Sequence, residues 1–253
     1  MPTRSGIVTL TTDFGRGDAY VAALEAALIK TAPAVRVVHV SHDVPPGDVA
    51  TAAYLVEYAS RSFPPGTVHL AVVDPGVGSS RLMHAVDAGE TLLVGPDNGV
   101  LARALRGRRA RAVKLRLDPE GSATFESRDV MAPAAGRLAA GDDIDVVGEP
   151  VSIPPVAEAP ALGEGDARVA VAHVDHYGNV VVDRRVEGSP GEALLIDGAA
   201  VPFARTFSDV AEDELVAYRG SLGYLELAVR NGRADKRLGL GPGGVVEVRV
   251  PDA

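Results

Sequence analysis

Val68-His-Leu-Ala-Val-Val-Asp-Pro-Gly-Val-Gly-Ser-Ser-Arg81 is the stretch on which the reading of this chain turns. Residues 68–73 are almost wholly apolar and rich in β-branched side chains, the pattern of a buried strand. Asp74-Pro75-Gly76 breaks the strand at once. Polar residues just past the end of a buried strand stand where α/β sheets hold their ligands. Asp74 and Arg81 flank a Pro-Gly loop and can pair across it, either to pin the loop or to serve a site. A phosphate-binding loop is the weaker option, because no Gly-Lys-Ser/Thr ending follows.

Outward from this stretch, strand and helix signals alternate. Upstream lie a strand at 7–11, a helix at 18–31 with Pro33 beyond it, and a strand at 35–40. Pro45-Pro46-Gly47 marks a turn, after which Asp48 caps a helix running to about Tyr58. Downstream, a strand at 91–94 ends at Gly95-Pro-Asp97-Asn-Gly99, a helix continues through Arg106, and another spans 131–140. This alternation predicts an α/β domain over 1–150 with a mainly parallel sheet. Residues 151–166 are proline-rich and aperiodic and read as a linker. Beyond them come short β-like runs at 169–174, 180–182, 193–196, 214–218, 224–229 and 245–250. They predict a smaller all-β domain, barrel or sandwich, over 167–253.

Bulk composition narrows the function classes. Of 253 residues, 46% are hydrophobic, enough for a sizeable core. Net charge is −9, against the sign expected of a nucleic-acid binder. The densest basic run, 103–111, reads as a helix end and solvated loop. With no cysteine, disulfides, thiolate metal sites and a cysteine nucleophile are excluded. The six histidines form no close ligand pair, so no metal is expected, and no G-x-S-x-G supports a serine triad. Met-Pro-Thr-Arg-Ser-Gly leads directly into a strand without an apolar signal segment, and no apolar run reaches about 18 residues. The expectation is a soluble cytoplasmic protein that binds neither membrane nor nucleic acid.

Further polar clusters lie at predicted strand ends. Thr11-Thr-Asp13-Phe-Gly15-Arg-Gly-Asp18 offers a carboxylate for a ribose diol and glycines for close backbone approach, or a helix cap in Asp18. Asp97-Asn98-Gly99 reads as a turn. Thr124-Phe-Glu126-Ser127-Arg-Asp129 precedes a helix, so Ser127 or Asp129 are alternatives for its cap. Asp175-His-Tyr-Gly-Asn179 suits an ammonium group and an adenine edge, or simply a β-turn.

Taken in order, these clusters resemble the S-adenosylmethionine hydroxide adenosyltransferase family, relatives of the fluorinase and chlorinase. The match adds Thr206-Phe207-Ser-Asp and Gly220-Ser221-Leu-Gly-Tyr-Leu-Glu226, and spans residues 9–229. The resemblance implies an N-terminal α/β domain, a C-terminal β-barrel and hydrolysis of S-adenosylmethionine to adenosine and methionine without a cofactor. It further implies a homotrimer with the ligand held at a subunit interface. On this chain, Asp13 would hold the ribose hydroxyls, while Asp18 and Asp175 would bind the methionine ammonium. Asn179 would meet the adenine edge, Phe207 would stack on its ring, and Glu226 and Val229 would flank it. Ser221 would help hold the carboxylate, although Leu222 stands where the fluorinase has an arginine.

Related hydrolases orient the attacking water with an Asp-Arg-His triad. Asp74 and Arg81 match two members, but Glu126 replaces the histidine. A carboxylate, with a reference pKa near ~4.3, is ordinarily the weaker base. Ser127 matches the serine that contacts fluoride in the fluorinase, which keeps halide transfer as an alternative. A protein that binds the substrate without turning it over is a second alternative.

Overall fold

The computed structural model describes residues 4–187 and 192–251. The chain divides into two units, Met1–Ala157 and Glu158–Ala253. The proline-rich stretch is shared between them: Val151, Ile153 and Val156 pack on a core of the first unit, and Leu162 on that of the second.

In the first unit the quoted stretch forms β3 (Thr67–Val72), every residue of which is buried. Its alternation sorts side chains to two faces of the sheet. Val68, Leu70 and Val72 point into one core with Leu24, Leu28 and Leu138, while Ala71 and Val73 join Ala52 and Val56 in another. Burial on both faces is what a continuous apolar run demands. The helices α1 (Tyr20–Thr31) and α3 (Ala132–Ala140) cover the first face, and α2 (Val49–Ser62) covers the second.

The remaining strands are β1 (Ile7–Thr12), β2 (Arg36–Ser41), β4 (Met83–Asp87), β5 (Thr91–Pro96), β6 (Arg111–Leu115) and β7 (Gly148–Val151). Sheet order is β2-β1-β3-β5-β4-β6-β7. The β1–β2, β1–β3 and β3–β5 pairings are parallel, and β4–β5, β4–β6 and β6–β7 are antiparallel. The expected mainly parallel sheet is therefore mixed. A hairpin between β4 and β5, turning at left-handed Gly89, sets β4 against the parallel strands, and beyond it β6 and β7 continue to alternate in direction.

The expectations for the segment after β5 change as well. Between Gly99 and Gly107 only the 3₁₀ turn Arg103–Leu105 forms, since so short a segment cannot sustain helix propagation. The basic run 103–111 is not wholly solvated: Arg103 Nε donates to Glu57 Oε2 at 3.0 Å, and Glu57 is fully buried.

The second unit contains β8 (Arg168–Val174), β9 (Val180–Arg185), β10 (Ala193–Ile196), β11 (Ala199–Pro202), β12 (Leu215–Arg219), β13 (Tyr224–Val229), the short α4 (Ala234–Leu238) and β14 (Val245–Arg249). The order β11-β10-β14-β8-β9-β13-β12 is antiparallel throughout. An isolated bridge from Phe203 to Ala217 brings its ends together, so the sheet is nearly closed and barrel-like. No helix among the described residues is long and apolar enough to cross a membrane.

Candidate active site

Adjacent parallel strands deliver two carboxylates to one end of the first sheet. Thr12 of β1 pairs with Val72 of β3, so Asp13 and Asp74 both follow at their C-terminal ends. Asp13 Oδ2 accepts the Gly47 N–H at 2.8 Å, and Gly47 adopts φ 74°, where glycine carries no steric cost. That contact leaves lone pairs on both Asp13 oxygens for a ligand.

Asp74 belongs to a three-residue ion cluster. Arg81 Nε donates to Asp74 Oδ1 at 2.9 Å and Oδ2 at 2.8 Å. Arg81 Nη2 contacts Asp74 Oδ2 and also donates to Glu126 Oε2 at 2.5 Å. The side chains of Asp74, Arg81 and Glu126 are only 6%, 10% and 14% exposed, so Glu126 is no solvated loop residue. Burial pulls the Arg81 pKa down, but the bonds to Asp74 and Glu126 outweigh it and hold the guanidinium above its ordinary value. Two carboxylates therefore share one fixed cation, a formal excess of one negative charge. The Gly78 N–H lies 3.4 Å from the same Glu126 Oε2, which leaves Oε1 to accept from a water.

A cavity of about 200 Å³ opens beside the cluster, lined by Asp13, Phe14, Tyr20, Asp74, Phe125 and Ser127, with Val72, Val77 and Thr124. The Phe14, Tyr20 and Phe125 rings pack together with centroids 5.6–6.2 Å apart. A larger cavity of about 400 Å³ takes in Arg81 and Glu126 with Lys114 and Arg116, but neither Asp13 nor Asp74. Convergence of carboxylates and aromatic rings marks the smaller cavity as the place for chemistry.

Other first-unit expectations divide. Ser127 is buried at the head of the wide turn Ser127–Met131 and caps no helix. Asp129 accepts from the Ser122 N–H and pairs with Arg128, so it is no cap either. Asp18 is exposed; Ala19 occupies the α1 cap position, and Asp18 does not line the cavity. Asn98 is structural, giving its amide to Val73 O at 2.9 Å and accepting from Val100 N–H.

In the second unit Asp175 and Asn179 close one turn. Asn179 donates its backbone N–H to Asp175 Oδ1 at 2.9 Å and its side-chain amide to Oδ2 at 2.8 Å. Asn179 Oδ1 keeps its acceptor capacity for an N–H donor. Arg233, absent from the sequence reading, holds this turn by donating to His176 O and both Asp235 oxygens. A Cβ on Gly178 would lie 2.6 Å from Asp235 Oδ1, which requires glycine there. Glu226 on β13 is half-buried, and burial pushes its pKa up; a Tyr218 hydrogen bond opposes this, and the Asp175 charge adds to it. Ser221 sits exposed in the turn before β13, and Phe207 is 52% exposed in a 3₁₀ turn. Val229 is buried and packs into the second unit's core.

The sequence reading missed the aromatic lining. Phe14 and Phe125 lie inside motifs read for their charges, and Tyr20 lies just beyond the Asp13–Asp18 cluster with no signal of its own. Among the described residues no three His, Asp or Glu side chains gather as metal ligands.

Comparison with known proteins places the chain among its relatives. Residues 8–148 match the family description "SAM hydroxide adenosyltransferase N-terminal domain", and residues 169–247 match its C-terminal counterpart. A protein named (R)-S-adenosyl-L-methionine hydrolase from Salinispora tropica is 42% identical over 93% of this chain and 95% of its own. A protein named fluorinase from Nocardia brasiliensis is 26% identical, over 89% and 90%. The crystal structure of an uncharacterized conserved protein from Thermotoga maritima superposes with a TM-score of 0.83 at 29% identity, covering 96% of this chain and 99% of that one.

Proposed function

We propose that this chain, which belongs to the SAM hydroxide adenosyltransferase family, hydrolyses S-adenosyl-L-methionine to adenosine and L-methionine. The observation that carries the reading is the buried Asp74–Arg81–Glu126 cluster beside the cavity that also receives Asp13. Water attacks C5′ in line with the departing sulfur. The C5′–O bond forms, the C5′–S bond breaks with its electron pair passing to sulfur, and the water loses one proton. The sulfonium is already an activated leaving group, so catalysis reduces to placing the nucleophile and excluding competitors. Arg81 fixes both carboxylates, and Glu126 Oε1 orients the water and receives its proton. Asp13 holds the ribose diol by charge-assisted hydrogen bonds.

The second unit completes the site. A cavity of about 200 Å³ is below the range that encloses a ligand of this size, so further groups must close over it. In our reading these are Asp175 for the ammonium, Asn179 and Phe207 for adenine and Ser221 for the carboxylate, supplied by a neighbouring copy in a homotrimer.

Purified protein incubated with S-adenosylmethionine should release adenosine, measured by chromatography. No adenosine above the uncatalysed control sinks the hydrolase reading. Ser127 on the cavity wall favours one competing reading, halide transfer. Chloride or fluoride in the same assay would then yield a 5′-halo-adenosine, and adenosine alone removes that option.

A further inference from the structure

Two paired histidines, His42 buried and His39 at the surface, stand behind the loop that carries Asp13, and the hydrolytic reaction leaves them without a task. Thr12 Oγ1 and His42 Nδ1 lie 2.9 Å apart, His42 Nε2 and His39 Nδ1 2.7 Å, and His39 Nε2 is 3.5 Å from Glu25 Oε1. The Phe14 N–H donates to Thr12 Oγ1 at 3.3 Å. The Glu25 carboxylate can only accept, which sets the direction of the chain. Thr12 passes its own hydrogen to His42 Nδ1, His42 passes Nε2–H to His39, and His39 passes Nε2–H to Glu25. In that arrangement every donor meets an acceptor.

The same residue clamps the loop through its backbone, for His42 O accepts the Gly15 N–H at 2.8 Å. His42 thus holds residues on both sides of Asp13. Thr12 is wholly buried and His42 is 3% exposed, whereas His39 and Glu25 reach the surface. The chain links solvent to the base of the diol site.

We infer that Thr12, His42, His39 and Glu25 form a positioning chain that sets Asp13, so that protonating His42 weakens the hold on the ribose diol. The inference rests on the reading of Asp13 given above. A protonated His42 carries hydrogens on both ring nitrogens. Its Nδ1–H then takes the Thr12 Oγ1 lone pair that the Phe14 N–H leaves open, and the Thr12 hydrogen loses its acceptor in a buried surrounding. A buried donor without its acceptor costs free energy, which the loop relieves by shifting. The groups facing His42 are His39, Arg16 and Asp43, with Glu25 beyond His39. Burial and the charges of His39 and Arg16 lower the His42 pKa against the opposing Asp43, which places the transition on the acid side of the usual histidine range.

The test is calorimetric binding of adenosine from about pH 5 to about pH 8, a probe that carries the diol and is not turned over. In the parent, Kd rises on the acid side, whereas 2′,3′-dideoxyadenosine shows no such rise. His39→Gln removes a charge that lowers the His42 pKa, so the rise should begin at higher pH. His42→Leu should bind about fivefold more weakly at neutral pH, the equivalent of one lost buried hydrogen bond, and lose the acid dependence. A merely structural role would raise Kd at every pH and leave the acid limb in place, which overturns the inference. So would a His39→Gln profile identical to the parent's, a result that decides the matter even if His42→Leu fails to fold. Asp13→Ala separates the two levels: unchanged affinity in that variant sinks the reading of Asp13 itself. Weakened binding there, with parental behaviour in the histidine variants, sinks only the chain.

Discussion

In the proposed reaction Glu126 is the residue that handles the attacking water. Its carboxylate is tied through Oε2 to a guanidinium that also holds Asp74, so its remaining oxygen has a fixed direction. Glu126→Gln keeps the shape and loses the proton acceptor. Steady-state kinetics should show kcat lowered by roughly 10²–10⁴-fold with KM little changed. Glu126→His should retain activity and move the optimum towards neutral pH. Parental turnover in Glu126→Gln at every pH would leave Asp74 and Arg81 to orient the water alone. Part of this site was legible in the sequence, because Asp74 and Arg81 flank one short loop and strand ends invite ligands. The grouping of Glu126 with Arg81, 45 residues away, came from the family resemblance alone, since in the chain only the packing of α3 against the sheet brings that segment in. Val229 shows the converse: a side chain on a strand expected to flank the ligand is drawn into the core by its apolar surface.

Elements carry their own tests. Asp48 caps α2, accepting the Thr51 N–H at 3.0 Å and the Thr51 hydroxyl at 2.6 Å. Asp48→Ala should destabilise the protein by about 1 kcal/mol in urea unfolding. Strands β1 and β3 are joined by a buried side-chain contact, His69 Nδ1 to Thr9 Oγ1 at 2.8 Å. Burial, aided by the charge of Arg108, pushes the His69 pKa down to about 4. Above about pH 6.5 both folded and unfolded chains keep this ring neutral, so its contribution is intact. As pH falls from there towards 4, only the unfolded chain takes the proton, and about 3 kcal/mol of stability is lost. His69→Gln should show a shallower acid slope when unfolding free energies at neutral and acid pH are compared. An unaltered slope would mean the ring titrates as an ordinary histidine. Long apolar elements such as β1, β3 and α1 were readable from periodicity. Strands β4, β6 and β7 escaped because they are short, carry charged residues and form only by pairing with one another and with β5.

At the scale of the whole molecule, the proposed assembly has a genetic signature. Asp74→Asn disables the first unit's share of the site, and Asp175→Ala disables the second's. Each variant alone should be inactive. Co-expressed, they should regain activity, because a sound first unit then meets a sound second unit across a subunit boundary. A site built within a single chain would stay dead in every mixture, and light scattering reports the number of copies. The excess negative charge of the Asp74–Arg81–Glu126 cluster has one more effect. It draws in a sulfonium, yet the reaction abolishes that positive charge, and the thioether and nucleoside that remain feel no such pull. Turnover is thereby self-clearing: the electrostatic attraction that captures the reactant vanishes with the bond it helps to break. Added salt should therefore raise the KM for the sulfonium while leaving inhibition by adenosine unmoved.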